Sequence, residues 1–208
     1  MRALMVVLAV ALVAVAWSFY ERQKEASPIE FLGPASAADN DLPKLWPIPD
    51  FSLTDRTGQT VSLGDLKGSV WAADFIYTTC PGPCPLLTKG LAEVQKAMAQ
   101  NPKARFVSIS SDPENDTPAV LEQYATRFGA TQHWFFLTGD KASIYTLANQ
   151  GFKLSVVEDR KGAEPIIHST KLVLVDRAGV VRGFYDGLSD DARRKMIRDF
   201  RRLLAEKS

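Results

Sequence analysis

The sequence has little of what several common readings would need. Two cysteines in 208 residues cannot make a disulfide-stapled scaffold or a four-cysteine zinc site. Charge of neither sign is in excess: 25 Lys and Arg face 24 Asp and Glu, and a net charge of +1 argues for no nucleic-acid-binding function. Gly and Pro number 13 and 12, too few for a collagenous or low-complexity chain. No internal repeat is present. What is present is a 46% hydrophobic composition, enough for one ordinary domain with a core and some chain to spare.

The spare chain is at the start. Ala3 to Trp17 carry no polar side chain, and Ser18, Phe19 and Tyr20 lengthen that run to eighteen residues before Glu21, Arg22, Gln23 and Lys24 end it. As a helix it would span roughly 27 Å, close to the hydrocarbon thickness of a bilayer. Trp17 and Tyr20 fall where an aromatic belt would lie, and Arg2 with the amino terminus favours an N-terminus kept in the cytoplasm. Residues 1–20 are therefore read as a transmembrane anchor. A cleaved signal peptide is the alternative, with Ala14-Val15-Ala16 inside the run and Ala35-Ser36-Ala37 well beyond it as the small-residue sites. Under both readings the rest is exported, on the single-pass reading from a bacterial inner membrane into the periplasm, where thiols can be oxidised. Residues 21–45, with Pro28, Pro34 and Pro43 and no amphipathic period, read as a linker; residues 46–208 read as the folded domain.

Within that domain, alternation on both sides of Asp55–Gly58 predicts a hairpin over Phe51–Leu63. Val70–Tyr77 reads as a buried strand running straight into Cys80. Leu87, Leu91, Val94 and Met98 form the apolar stripe of a helix over Leu86–Gln100. Arg105–Ser110 is a second strand. Thr117 can cap the following helix, Pro118 suits its first position and Gly129 closes it. A short strand at Trp134–Leu137, a helix at Lys141–Asn149, a hairpin of Lys171–Val175 with Val180–Tyr185, and a helix at Asp190–Ala205 complete the pattern. Alternating strands and helices predict an α/β fold, a central sheet with helices on both faces. A cysteine motif that follows a strand and opens a helix makes that sheet thioredoxin-like.

The motif is Cys80-Pro-Gly-Pro-Cys84-Pro85. A spacing of four puts two helical side chains about one turn apart on one face. Cys84 would enter the first turn, where the positive end of the helix dipole favours a thiolate. Pro81, Pro83 and Pro85 stiffen the loop by fixing φ. Such a pair can clamp a soft metal or cycle between dithiol and disulfide. His168 stands immediately before a strand, at the place where thioredoxin-like domains carry a cis-proline loop facing the cysteines. Two thiolates and an imidazole make a three-coordinate N,S2 set suited to Cu(I), with Cu(II) also accepted and zinc as the chemical competitor. His133 has no such placement and reads as a surface residue.

These pieces together resemble the SCO/SenC family of copper chaperones. The resemblance is carried by Thr79-Cys80-Pro-Gly-Pro-Cys84-Pro85, by Ser111-Asp112-Pro-Glu-Asn-Asp116-Thr-Pro118, by Trp134 with Leu137-Thr-Gly139, and by His168-Ser169, across about residues 46–205. It implies copper, as Cu(I) or Cu(II), held by Cys80, Cys84 and His168. It also implies delivery to the cytochrome c oxidase subunit that carries the CuA site, or to another copper protein. Asp112 and Asp116 match the family's acidic stretch; with Thr117 at a helix start, Asp116 is expected to cap amides. Asp74 lies six residues before Cys80, where thioredoxins keep a buried aspartate for proton transfer. It leaves open a thiol-disulfide oxidoreductase with Cys80 and Cys84 as the redox pair. The plainer expectation is that Lys67 or another nearby cation neutralises it.

Overall fold

A computed structural model describes residues 42–158, 166–167 and 169–206. The predicted anchor at residues 1–20, the linker up to residue 41, and His168 lie outside the described residues. No helix among the described residues is long and apolar enough to cross a membrane.

The body is built on a seven-stranded sheet. Its strands are β1 (Ser52–Asp55), β2 (Thr60–Ser62), β3 (Val70–Ile76), β4 (Ala104–Ser110), β5 (Trp134–Thr138), β8 (Lys171–Val175) and β9 (Val181–Asp186). The order is β2-β1-β5-β4-β3-β8-β9, with β3, β4 and β5 parallel and the outer pairs antiparallel. A separate two-stranded ribbon pairs β6 (Val157–Glu158) with β7 (Ile166–Ile167), the residue before position 168. The predicted hairpin is β1–β2, and its Asp55 Oδ2 accepts from Thr57 N at 3.2 Å to shape the turn.

All seven residues of β3 are buried, six of them apolar, as a central strand covered on both faces requires. The helices are α1 (Leu63–Leu66), α2 (Cys84–Ala97), α3 (Pro118–Arg127), α4 (Lys141–Thr146) and α5 (Asp190–Ala205). One sheet face carries Asp74, Phe106, Ser108, Trp134 and Phe136. It meets α5 through Phe106–Phe200 and α3 through Tyr124–Phe136. Thr88 of α2 shares a 3.0 Å hydrogen bond with Tyr124, which puts α2 on that same face. On the opposite face Trp71 and Phe75 both pack edge-on against Phe152, which follows α4. The fold is thus the expected α/β arrangement with helices on both faces.

Several local boundaries differ from the sequence pattern. The helix predicted at Leu86–Gln100 begins two residues earlier, at Cys84, because a proline in the first turn loses no hydrogen bond. The helix predicted to Asn149 stops at Thr146 and passes into a π-helical turn, Leu147–Gly151. The β6–β7 ribbon carries too few residues to show a period. Thr117 is the N-cap of α3, its side chain accepting from Val120 N, and Gly129 ends that region at φ +66, as predicted.

Candidate metal centre

The cysteine loop leaves the carboxyl end of β3. Tyr77 is buried, Thr78 half-buried and Thr79 exposed, and Cys80 N donates to Tyr77 O at 3.2 Å, turning the chain. Pro81 and Gly82 form an exposed tip. Pro83 caps α2 without a side-chain bond, and Cys84 is its first residue. Cys84 is 0% and Cys80 6% exposed, and both are free of disulfide bonding. The two side chains are within hydrogen-bonding reach of each other. Only an edge of Cys80 meets solvent, next to the tip, and Leu86 in the first turn of α2 is an exposed apolar residue.

The dipole-favoured thiolate expected at Cys84 is overturned. Burial pushes its thiol far above the usual range; a backbone hydrogen bond from Tyr77 opposes this, while Cys80 and Asp74 reinforce it. Two features explain the reversal. Pro83 and Pro85 contribute no N–H at the helix start, so that end is thin in donors. Full desolvation of the sulfur then dominates.

Asp74 is fully buried in β3. Its Oδ1 accepts from Ser108 Oγ at 2.6 Å, and Ser108 Oγ in turn accepts from Trp134 Nε1 at 3.0 Å. Its Oδ2 has no hydrogen-bond partner. Neither Lys67 nor any other described cation reaches it. A serine hydroxyl is the partner, which corrects the ion-pair expectation. Burial pushes the carboxyl up to about 7, against the opposing pull of the Ser108 bond.

Asp116 also differs from expectation. It is 0% exposed and caps no amide of α3. Its carboxylate turns inward and accepts from Thr78 N at 3.2 Å, Thr78 Oγ1 at 2.5 Å and Ser110 Oγ at 2.6 Å. It therefore ties the end of β4 to the residue two places before Cys80. Thr117, directly beside it, is free to take the cap. Burial raises its pKa, and the Ser110 and Thr78 hydrogen bonds oppose the rise. Asp112 accepts from Asn115 Nδ2 at 2.8 Å and stays within its own turn. Nothing in the sequence distinguishes the two acids beyond Thr78 and Ser110 being small hydroxyl residues.

The residue after position 168, Ser169, accepts from Lys171 N at 3.2 Å and opens β8. That strand is hydrogen-bonded to β3, with Ala73 opposite Val173 and Trp71 opposite Val175, so its start lies at the end of the sheet from which the cysteine loop departs. His133 precedes β5 and donates no side-chain contact to this end; its carbonyl accepts from Phe106 N near the start of β4. Among the described residues no group of three or more His, Cys, Asp or Glu is placed to hold a metal. The described donor set is the thiol pair.

Residues 44–205 match the SCO1/SenC family model. The chain belongs to the SCO1/SenC family. It is 35% identical over 160 residues to the SCO1 protein homolog of Bacillus subtilis, covering 76% of this chain and 82% of that one. Its fold is similar to that of BsSco, a member of the Sco family of cytochrome c oxidase assembly proteins with a disulfide switch (TM-score 0.71, 33% identity, 81% of this chain and all of that one). It is also similar to Bradyrhizobium japonicum ScoI with copper bound (TM-score 0.63, 29% identity, 76% and 99% covered). Sco structures are thus known with copper, and the thioredoxin-like sheet predicted here is the Sco fold.

Proposed function

We propose that this Sco protein is a membrane-tethered periplasmic copper carrier. Cys80 and Cys84 supply two thiolates and His168 the third ligand. The cargo goes to the CuA-bearing subunit of cytochrome c oxidase, or to another copper protein. The observation that carries the reading is the pair of thiols, not joined in a disulfide and in mutual reach at the end of the sheet, shielded except for one edge of Cys80. Soft sulfur donors suit Cu(I), and a nearly dry site limits oxidation of the bound ion. Binding replaces each S–H by an S–Cu bond and releases its proton. A three-coordinate ion keeps an open side from which an incoming ligand can take it. The similarity to a relative solved with copper and to one from an oxidase-assembly family supports the same direction.

An anaerobic Cu(I) titration of the reduced chain against a competing chelator tests it. A single Cu(I) should bind tightly to the wild type. Cys80→Ser and Cys84→Ser should each abolish tight binding, and His168→Ala should weaken it. Unchanged affinity in Cys84→Ser would sink the proposal.

One observation favours a second reading, a thiol-disulfide oxidoreductase. Asp74 is buried close enough to Cys84 to raise its pKa, and one carboxyl oxygen is unpartnered. In that role Cys80 and Cys84 would lose two electrons and two protons to a client disulfide. His168→Ala separates the readings: disulfide exchange is kept in that variant, whereas copper affinity falls.

A further inference from the structure

The end of the body away from the cysteines carries charge that copper handling does not use. β3 and β4 start there, at Val70 and Ala104, and the length of β3 puts the two ends roughly 20 Å apart. Lys44, Lys103 and Arg177 line one cavity of about 810 Å³ at those strand starts. Gly68 N donates to Arg177 O, which brings exposed Lys67 beside it. Arg105 donates to Pro102 O, and Arg201 shares a second hollow with Gln100 and Asn101. None of these six cations is in an ion pair among the described residues, and all but Arg177, whose guanidinium donates to the Leu203, Leu204 and Glu206 carbonyls, are left to meet an outside anion. The acids of the larger cavity, Asp176 and Glu206, are both taken by Arg182. At the cysteine end acids are plentiful: Asp112, Glu114, Asp140, Asp186 and Asp190. Those acids are largely matched by cations of the same end, Glu114 by Lys141, Asp186 by Lys171 and Asp190 by Arg193, so the unpaired positive charge gathers at the strand starts.

Leu42 fixes which end the preceding chain reaches. Arg182 Nη2 donates to Leu42 O at 2.7 Å and its Nε to Pro43 O at 3.0 Å, while the same guanidinium holds Glu206 just beyond α5. Pro43, Lys44 and Leu45 are exposed there, Leu45 to 38%.

We infer that this basic end rests on an anionic lipid surface. Lys44, Lys67, Lys103 and Arg201 face headgroup phosphates, Leu45 enters the headgroup boundary, and Cys80 is held on the far side, pointed away from the bilayer. The inference rests on the reading of residues 1–20 as a membrane anchor. Such an anchor makes the contact intramolecular in effect, so weak electrostatic attraction is enough to orient the body. An acidic protein face is the competing partner. Lipid is favoured because Leu42 leads from this end into the 41 residues that contain the apolar run.

The test uses the full chain in nanodiscs, with no other protein, made of phosphatidylcholine alone or of equal parts phosphatidylcholine and phosphatidylglycerol. Lysine acetylation is read by mass spectrometry. Labelling of Lys44, Lys67 and Lys103 should fall at least about threefold in the anionic discs and recover in about 0.5 M salt. Lys89, Lys141 and Lys171, at the cysteine end, should label alike in both. The surface double variant Lys67→Glu/Lys103→Glu should return Lys44 to its neutral-disc rate. Equal labelling of the three lysines in both discs overturns the lipid contact in favour of an acidic protein partner. Protection spreading to Lys89 and Lys171 overturns the orientation. A chain that fails to enter discs at all refutes the anchor reading and takes the inference with it, whereas one that enters with its lysines unprotected refutes the inference alone.

Discussion

Replacing Asp74 by asparagine keeps the shape of the side chain and removes its ability to ionise. In the folded protein the carboxyl titrates at about 7, against 3.8 for the ordinary side chain. Between those values the unfolded chain has lost the proton that the folded chain keeps. Stability is therefore fully present below about pH 4, falls as pH rises through this window, and levels off above about 7. Each pH unit across the window costs about 1.4 kcal/mol, so the whole span costs roughly 4 kcal/mol. Asp74→Asn escapes that cost. At pH 8 the variant should be more stable than the wild type by up to about 4 kcal/mol, with the advantage shrinking to near zero at pH 4. The assay is urea unfolding of the reduced chain in nonionic detergent, followed by tryptophan fluorescence at a series of pH values. Trp134 reports directly, since its indole N–H is bonded to the same Ser108. A stability difference that stays constant from pH 4 to 8 would refute a neutral buried Asp74.

Other substitutions probe the loop and its support. Asp116→Ala strands the Thr78 amide together with two hydroxyls, and should cost about 2–4 kcal/mol in the same unfolding assay. It should also loosen the cysteine loop, seen as faster amide exchange at Cys80. Gly187→Ala places a methyl against Leu87 of α2, with Leu172 Cγ at 3.1 Å, and should destabilise by about 1–3 kcal/mol through overpacking. Arg182→Met leaves Asp176 and Glu206 without their cation and frees the Leu42 and Pro43 carbonyls. It should lower the unfolding midpoint and expose the first described residues to protease.

Much of this fold could be read along the chain because its strongest signals are local. The Val70–Ile76 run, the Leu87/Leu91/Val94 stripe and the Gly129 stop each depend on neighbours within a few residues. The cysteine loop was legible for the same reason. What depended on distant partners was not. Asp116 looked like a cap because it sits at a helix start, yet its partners, Thr78 and Ser110, come from the ends of two adjacent strands. Asp74 looked like half of an ion pair, yet Ser108 lies directly opposite it in the β3–β4 register. The state of the Cys84 thiol was misjudged because a dipole can be read from position, whereas desolvation depends on what packs over the sulfur.

The way the chain enters the body has a mechanical consequence. Leu45 N donates to Val181 O, Val181 N to Trp46 O and Ile48 N to Gly179 O, while the Arg182 fork grips the two carbonyls before them. Tension arriving from the preceding residues is shared by several bonds at once instead of peeling them one by one. It is borne by β9 and the tail of the last helix, leaving the cysteine loop outside the line of pull.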